Sequence, residues 1–294
     1  MFRSLLLVVL VLGGVASFPA RAGDRLMVCG MGEVYEIDPA APGRKHWTWR
    51  AADRAELPAE LKRAFATTDE CKPVEAGKKL LISASSGGCA LVHYPSGFVA
   101  WHARVPNAHS MELLPGNWVV VASSVSPQGN KLAVFDLAVP GVPLFETPLP
   151  SAHGVVWDAA RQRLWALGLD ELQRYRLVHW TSQPSLVLDR RYHLPGHDGH
   201  DLMAVPGCDD LVLSDESGVW LFDRTTALFR RHPSLGHEPE VKCLSPHPSG
   251  YRWLWVAAEA GQWWSRRLRL DRPGQTLTLP GERVYKARWM PTPP

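Results

Sequence analysis

Three histidines and a lysine recur at regular intervals in this sequence, and their residue types suit metal or anion chemistry. They are His109, His153, His200 and Lys242, at successive spacings of 44, 47 and 42 residues. Neutral imidazoles bind Zn, Mn, Fe or Ni, and an open position on such a metal takes a substrate. The pattern predicts a divalent transition-metal site of three histidines, completed by a carboxylate from Asp69 or Glu70.

Further residues near these positions have the chemistry needed to bind a substrate or move a proton. We expect Lys242 or His197, which lies three residues before His200, to move a proton as a general acid or base. Lysine and arginine hold carboxylates by charge-assisted hydrogen bonds, and an indole ring packs on the face of a sugar. On this basis the predicted substrate-binding residues are Lys72, Lys286, Arg288 and Trp157.

A structural explanation of the histidines stays open. A histidine at the start of a strand often donates to a backbone carbonyl and fastens one strand to the next, with no ligand involved. Three in register favour a site, because polar side chains gathered at a channel mouth are costly unless they are solvated or paired. Neither a Gly-x-Ser-x-Gly motif nor a P-loop is present in the sequence.

The elements that would position these residues are short strands. Each recurring position opens an apolar segment such as Val155-Val156-Trp157, and a second strand-like run follows it. A repeat of 40 to 50 residues made of four short strands is typical of a β-propeller. We predict an all-β, six-bladed β-propeller, with blades from His109 to Pro150, His153 to Pro195, His200 to His237 and Lys242 to Glu282 among its six.

The two ends of the chain complement each other in this arrangement. The first unit, from Arg25 to Trp49, lacks the innermost strand of the later copies, and Val284 to Trp289 is a lone strand after the last copy. Pairing the two closes the ring and removes an exposed strand edge. The segment from Arg50 to Ala66, with Leu57, Leu61 and Phe65 at helical spacing, predicts a short surface helix between blades.

The N-terminus has the pattern of an export signal. Arg3 precedes an apolar core from Leu5 to Val15, and Ala20-Arg21-Ala22 is a small-x-small cleavage site. We therefore expect residues 1–22 to be a signal peptide and residues 23–294 a single β-propeller domain, periplasmic or secreted, monomeric and without a membrane span. Cleavage removes Arg3 and Arg21 from 32 basic residues against 29 acidic ones, which leaves a net charge of about +1 and no nucleic-acid footprint.

Cysteine usage is compatible with an oxidising compartment. The chain has five cysteines, so at least one stays free or pairs between chains, and no Cys-x-x-Cys spacing supports a thiolate metal site.

Several motifs together resemble a family of secreted bacterial six-bladed β-propeller proteins of unknown function. These motifs are Thr68-Asp69-x-x-Lys72-Pro73-Val74, Ala108-His109-Ser110-x-Glu112-Leu113-Leu114-Pro115, Ala152-His153-Gly154-Val155-Val156-Trp157-Asp158, His200-Asp201-Leu202 and Tyr285-Lys286-Ala287-Arg288-Trp289. The resemblance implies the fold and no established chemistry. The histidines at the mouth also resemble, in composition alone, those of the oligogalacturonate lyases. Those propeller enzymes hold a divalent metal with histidines and cleave uronate-containing sugars by β-elimination.

Three functions follow as hypotheses. The first is an exported carbohydrate-active enzyme, a lyase or hydrolase that acts on an acidic sugar with a divalent metal. The second is a propeller that binds a glycan or a protein at the same mouth without chemistry. The third, a lactonase-like hydrolase with a central Ca²⁺, is disfavoured because Ca²⁺ prefers oxygen ligands and imidazoles dominate here.

Overall fold

Six four-stranded antiparallel sheets form the protein, as a computed structural model of the chain shows. The structure describes residues 23–250, 252–272 and 274–291, so the expected signal peptide, residues 1–22, lies outside the described residues. Each sheet contacts the next through its innermost strand, which makes the molecule an all-β, six-bladed β-propeller. The predicted fold class and blade number are confirmed.

Blade 1 joins the two ends of the chain. Its strands in chain order are β1 (Leu26–Cys29), β2 (Val34–Asp38), β3 (Ala41–Trp49) and β24 (Lys286–Trp289). The innermost strand, β24, pairs antiparallel with β1, with Leu26 opposite Trp289 and Cys29 opposite Lys286. The predicted closure of the ring by the C-terminal strand is confirmed.

Each remaining blade is a continuous run of four strands that starts at the channel and moves outward. Blade 2 consists of β4 (Thr68–Val74), β5 (Lys79–Ala84), β6 (Gly88–His93) and β7 (Val99–Arg104). Blade 3 consists of β8 (Ala108–Leu114), β9 (Trp118–Ser123), β10 (Lys131–Asp136) and β11 (Pro143–Pro148). Blade 4 consists of β12 (Gly154–Asp158), β13 (Arg163–Leu167), β14 (Glu171–Val178) and β15 (Ser185–His193).

The last two blades follow the same plan. Blade 5 consists of β16 (Asp201–Ala204), β17 (Asp210–Asp215), β18 (Gly218–Asp223) and β19 (Leu228–Arg231). Blade 6 consists of β20 (Val241–Pro246), β21 (Trp253–Ala257), β22 (Arg267–Leu270) and β23 (Gln275–Thr278).

The core lies between blades, because each sheet buries both faces against its neighbours. Trp101 of blade 2 packs edge-on against Phe135 of blade 3 with ring centroids 5.4 Å apart, and Trp165 of blade 4 meets Phe222 of blade 5 at the same distance. These large rings are almost fully buried. Burial of such rings removes much apolar area from water and holds neighbouring sheets in register.

The short helix predicted between blades 1 and 2 is present, but the segment is less regular and more buried than expected. It forms a 3₁₀ turn, a four-residue helix α1 (Ala59–Lys62) and a second 3₁₀ turn. Pro58 stands just before α1, where it interrupts a continuous helix. Leu57, Leu61 and Phe65 are buried, so the apolar residues of this segment belong to the core between the two blades.

All five cysteines lie in the described residues and are free thiols. Four are buried and Cys208 is exposed. Among the residues that the structure describes, no helix has the length and apolar character required to cross a bilayer.

Candidate functional site

The innermost strands of the six blades begin in a similar way: three have a β-bulge that places two residues opposite one, and three have the hydrogen-bond pattern of such a bulge at the start of the strand. In β4, β8 and β20 the register shifts across Asp69, His109 and Lys242. In the other three strands, the residue just before the strand donates its N–H to the residue that is paired with the first residue of the strand. His153 donates to the carbonyl of Leu167, His200 to that of Ser214, and Tyr285 to that of Cys29.

A bulge re-aims the side chain of its extra residue away from the regular pleat. Because the six bulges occur at equivalent points of a closed ring, the extra residues gather at one mouth of the central channel. We call these six residues the mouth ring: Asp69, His109, His153, His200, Lys242 and Tyr285.

Tyr285 is the mouth-ring residue that the sequence analysis missed. The expectation was Lys286 or Arg288, and both lie deeper on β24. The sequence does contain a usable pattern, since Val284-Tyr285-Lys286 aligns with Val241-Lys242-Cys243 of blade 6. Tyr285 is almost fully buried, and its ring centroid lies 5.8 Å from that of His109.

The three histidines contact each other in sequence around the mouth. The ring centroids of His109 and His153 are 4.3 Å apart, and those of His153 and His200 are 5.6 Å apart. The structure therefore brings together the histidines that the repeat placed at equivalent positions.

Hydrogen bonds assign a tautomer to His153. Its Nδ1 lies 2.8 Å from the carbonyl oxygen of Ser151, so Nδ1 carries the proton and donates it. Nε2 consequently keeps its lone pair, which is the arrangement found in most metal-binding histidines.

His200 and Lys242 form a close pair. The ammonium nitrogen Nζ of Lys242 lies 2.8 Å from Nε2 of His200 and donates to it. Glu240, whose side chain is half exposed, supplies a counter-charge with its Oε2 2.8 Å from the same Nζ. Nδ1 of His200 is buried and has no hydrogen-bond partner among the described residues.

Asp69 and Tyr285 approach the opposite side of the mouth ring, at His109. Asp69 Oδ1 lies 3.5 Å and the Tyr285 hydroxyl 3.4 Å from Nδ1 of His109, while Nε2 of His109 lies 3.1 Å from the side-chain oxygen of Asn107. The other oxygen of Asp69 accepts the backbone N–H of Ser85.

Burial and neighbouring cations keep the three imidazoles uncharged. Burial, followed by its neighbours His153, Lys286 and His200, lowers the pKa of His109 well below the usual value of 6.5. Burial also lowers the pKa of His153 to about 4 and, with the charge of Lys242, that of His200 to about 2. Burial raises the pKa of Asp69 to about 7. Near neutral pH the ring thus holds neutral imidazoles, a half-titrated carboxyl and one ammonium.

A charged cluster below the mouth ring fills the channel. Arg288 binds Glu70 through Nε and Nη2 at 2.8 Å each, and binds both oxygens of Asp201 at 2.7 and 2.8 Å. Lys286 Nζ lies 3.1 Å from Asp201 and 3.7 Å from Glu70. All four side chains are fully or almost fully buried, and their charges balance. We call these four residues the channel plug.

The channel plug explains the pKa directions of its members. Burial alone would raise the pKa of Glu70 and of Asp201, but the charges of Arg288 and Lys286 outweigh burial and lower both. The same carboxylates raise the pKa of Lys286 against the effect of burial. The guanidinium of Arg288 binds the carboxylates of Glu70 and Asp201 inside the channel. Glu70 and Arg288 therefore lie below the mouth and not in the mouth ring.

Two of the predicted substrate-binding residues lie elsewhere. Lys72 is buried on β4, three residues after Asp69. It donates to the carbonyls of Met111 at 2.9 Å and Val155 at 2.8 Å, which ties blade 2 to blades 3 and 4. Trp157 packs edge-on against Trp180 with ring centroids 5.6 Å apart, at the interface of blades 3 and 4.

His197 lies on the rim rather than in the mouth ring. Its side chain is 64% exposed, and Nδ1 lies 3.6 Å from both Asp198 and Glu216. Within residues 23–250, 252–272 and 274–291, this trio is the single group of three or more His, Cys, Asp or Glu residues whose ligand atoms all lie within 4.8 Å of one another.

The mouth ring fits a metal only in part. The uncharged rings of His109 and His153, the lone pair on Nε2 of His153 and the nearby carboxyl of Asp69 suit a transition metal. The Lys242 ammonium, however, occupies Nε2 of His200. A metal bound by all three histidines therefore requires the His200 ring or the Lys242 side chain to move.

Comparison with known proteins identifies the family and the fold. The model of a family described as "Family of unknown function (DUF6528)" matches residues 33–292. A crystal structure of a protein of unknown function from Bacteroides caccae is similar, with a TM-score of 0.61 and 13% sequence identity over 92% of this chain and 99% of that chain. No curated protein matches the chain. At this identity, the similarity to the solved structure supports the fold alone.

Proposed function

This chain belongs to the DUF6528 family of unknown function, and from that premise we propose that it is an exported propeller that binds a small acidic ligand, an acidic sugar, at the mouth ring. The proposal takes the mouth ring as a recognition site for a carboxylate and for the hydroxyl groups around it.

The observation that carries the proposal is the position of Lys242. Its ammonium is mostly buried at the mouth, donates to an uncharged imidazole, and has as its ion-pair partner Glu240, a half-exposed side chain on the rim. A ligand carboxylate can replace Glu240 without leaving the ammonium unpaired. A charge-assisted bond of this kind in a partly desolvated site contributes about 1.5 to 3 kcal/mol.

The rest of the mouth ring suits a ligand that carries hydroxyl groups. Uncharged imidazoles both donate and accept hydrogen bonds, and so does the phenol of Tyr285. Because the channel plug fills the channel below, a ligand approaches from the mouth and stays there.

Titration calorimetry tests the proposal with galacturonate, glucuronate and the neutral sugar galactose. We expect both uronates to bind and galactose to bind much more weakly, since it lacks the carboxylate. Lys242→Met should weaken uronate binding about tenfold or more. The matched control is Lys131→Met, a substitution at a surface lysine of blade 3 that pairs with Glu146. Unchanged uronate affinity in Lys242→Met overturns the proposal.

A metal-dependent lyase or hydrolase is the second candidate, favoured by the tautomer of His153 and its close contact with His109. His109 and His153, with Asp69 and a reoriented His200, would hold a divalent transition metal (Mn, Zn, Fe or Ni). Such an ion supplies Lewis acidity that stabilises negative charge developing next to a sugar carboxylate. Lys242 would then remove or return the proton at the reacting carbon, and His197 lies on the rim as a proton carrier.

Elemental analysis decides between the two candidates. The protein is purified from the periplasm without an affinity tag, beside the variant in which His109, His153 and His200 are all replaced by alanine. About one equivalent of a transition metal in the wild type and none in the variant supports the enzyme. No metal in either protein, after reconstitution has also failed, leaves the binding propeller as the function.

Export, domain organisation and monomeric state are proposed along with this function. N-terminal sequencing of the periplasmic protein should start at Gly23, and light scattering should give the mass of one chain of residues 23–294.

A further inference from the structure

An exposed indole lies next to the mouth ring. Trp263 belongs to the loop between β21 and β22, and it is 41% exposed in spite of its size. Its ring contacts that of Tyr285 edge-on, with centroids 5.8 Å apart at 64°. Because β21 ends at the level where the innermost strands begin, this loop rises on the mouth side of the ring.

The loop holds Trp263 in place although the indole itself is exposed. Ser265 and Val284 exchange both backbone hydrogen bonds, at 2.9 and 2.8 Å, immediately before Tyr285. The N–H of Glu259 donates to the carbonyl of Trp264 at 3.0 Å, and the side chain of Glu259 accepts the N–H of Arg266 at 2.9 Å.

The neighbouring tryptophan has the opposite environment. Trp264 is buried, and the guanidinium groups of Arg266 and Arg283 lie 5.2 and 5.3 Å from its ring. Trp264 thus anchors the loop and Trp263 is presented to solvent at a fixed position. A rigid, exposed aromatic ring beside a polar site gives contact area at a low entropic cost.

From these contacts we propose that Trp263 is the stacking wall of the mouth site, against which the ring of an acidic sugar packs while its carboxylate binds Lys242. Trp263 and Lys242 both belong to blade 6, whose innermost strand contacts the strand that follows Tyr285, so Trp263 flanks the Lys242 side of the mouth. The apolar C–H face of a pyranose covers an indole, whereas a ringless acid does not. This inference rests on the proposed function and adds the residue that selects an acidic sugar over a ringless acid.

Trp263 has a structural alternative role, which is to shield Tyr285 from water. Shielding predicts a loss of stability on substitution with no preference among ligands. Stacking predicts the reverse: little change in stability, and weaker binding that is confined to ligands with a sugar ring.

Binding of galacturonate and of lactate, a ringless hydroxy acid, is measured by calorimetry or by NMR titration for four proteins. These are the wild type, Trp263→Ala, Trp263→Phe and the control Phe98→Ala, which removes a 50% exposed ring from blade 2. We expect Trp263→Ala to weaken galacturonate binding about tenfold and leave lactate binding unchanged, Trp263→Phe to weaken galacturonate binding less, and Phe98→Ala to have no effect. Thermal unfolding of each variant accompanies the titrations.

The outcomes separate this inference from the proposed function. Unchanged galacturonate affinity in Trp263→Ala, with loss in Lys242→Met, overturns the stacking wall and leaves the proposed function intact. Equal losses for galacturonate and lactate in Trp263→Ala also overturn it, because the effect is then not one of stacking. No uronate binding to the wild type overturns both.

Discussion

Arg288 and Glu70 are 218 positions apart in the chain and meet through two parallel hydrogen bonds of 2.8 Å in the centre of the ring. Arg288 lies on β24 of blade 1, and Glu70 lies on β4 of blade 2. Closure of the ring thus places the last strand between two carboxylates, Glu70 and Asp201, which Lys286 also approaches. The channel plug fixes the position of the mouth ring above it.

We expect Arg288→Met to lower the free energy of unfolding by about 3 to 5 kcal/mol, because it leaves Glu70 and Asp201 with one cation in a buried site. Urea denaturation measures the loss. Lys131→Met, which removes the exposed ion pair with Glu146, is the control and should change stability by less than about 1 kcal/mol. If Arg288→Met does not fold, Arg288→Lys keeps a charge and should be less stable than the wild type. Equal effects of the buried and exposed substitutions would contradict the role of the channel plug.

Acid should destabilise the protein between about pH 6.5 and pH 4 through His153. Its pKa is about 4 in the folded protein, below the usual 6.5, so in this pH range His153 is protonated in the unfolded chain but not in the folded protein. Stability is complete above pH 6.5 and falls as the pH drops towards 4, by on the order of 2 to 3 kcal/mol. His153→Asn should reduce this slope in denaturation curves recorded across the range, and His46→Asn, at an exposed position, should not. An unchanged slope in His153→Asn would argue against a desolvated imidazole.

Ionisation of Asp69 should destabilise the protein as the pH rises, which is opposite to the effect of His153. Its pKa is raised to about 7, so its contribution to stability is complete below the usual value of about 3.8 and is lost as the pH rises through 7. Asp69→Asn imitates the protonated carboxyl and keeps the acceptor for the N–H of Ser85. The variant should therefore gain stability relative to the wild type at pH 8 and show no such gain at pH 4. A gain that is the same at both values would indicate a cause other than ionisation.

Gly154, just after the bulge at His153, should tolerate no larger side chain. A Cβ atom there would lie 2.6 Å from Cβ of Leu202 in blade 5, so Gly154→Ala should cost about 1 to 3 kcal/mol by overpacking. Gly43→Ala is the matched control, because a Cβ at Gly43 on β3 meets nothing within 4 Å. Comparison of the two midpoints of urea unfolding checks the prediction, and equal midpoints would refute it.

The fold could be predicted from the sequence because its repeat is regular. Each repeat of 40 to 50 residues forms one blade of four strands, and the segments at the two ends of the propeller together form one further blade. The short helix predicted between blades 1 and 2 is present, but it has only four residues after Pro58, and Leu57, Leu61 and Phe65 are buried rather than at the surface.

The site could be predicted in part. Alignment of the repeats is enough to place His109, His153, His200 and Lys242 at one mouth, and the metal-binding role of the histidines and the proton-transfer role of Lys242 stay predictions. The alignment could not distinguish Asp69 from Glu70. The position of the bulge determines which of these two neighbours faces the mouth, and this position is seen only in the strand pairing.

Two other positions were missed. The closing strand is separate from a full repeat, and without its alignment to Val241-Lys242-Cys243 of blade 6, Lys286 and Arg288 were expected at the mouth in place of Tyr285. Trp263 and Trp264 are adjacent on a loop, and only tertiary contacts show that one is buried and the other exposed.

The six bulges have a consequence for how such a mouth could diversify. The side chain of each inserted residue takes no part in the pairing of the strands, so its identity is largely independent of the hydrogen bonds that hold the blade together. Exchange of one residue, blade by blade, would alter the charge, the tautomer or the metal affinity of the mouth and leave the scaffold as it is. The ring therefore offers six positions that can be exchanged without rebuilding the blades, although neighbours such as His200 and Lys242 have to be exchanged together.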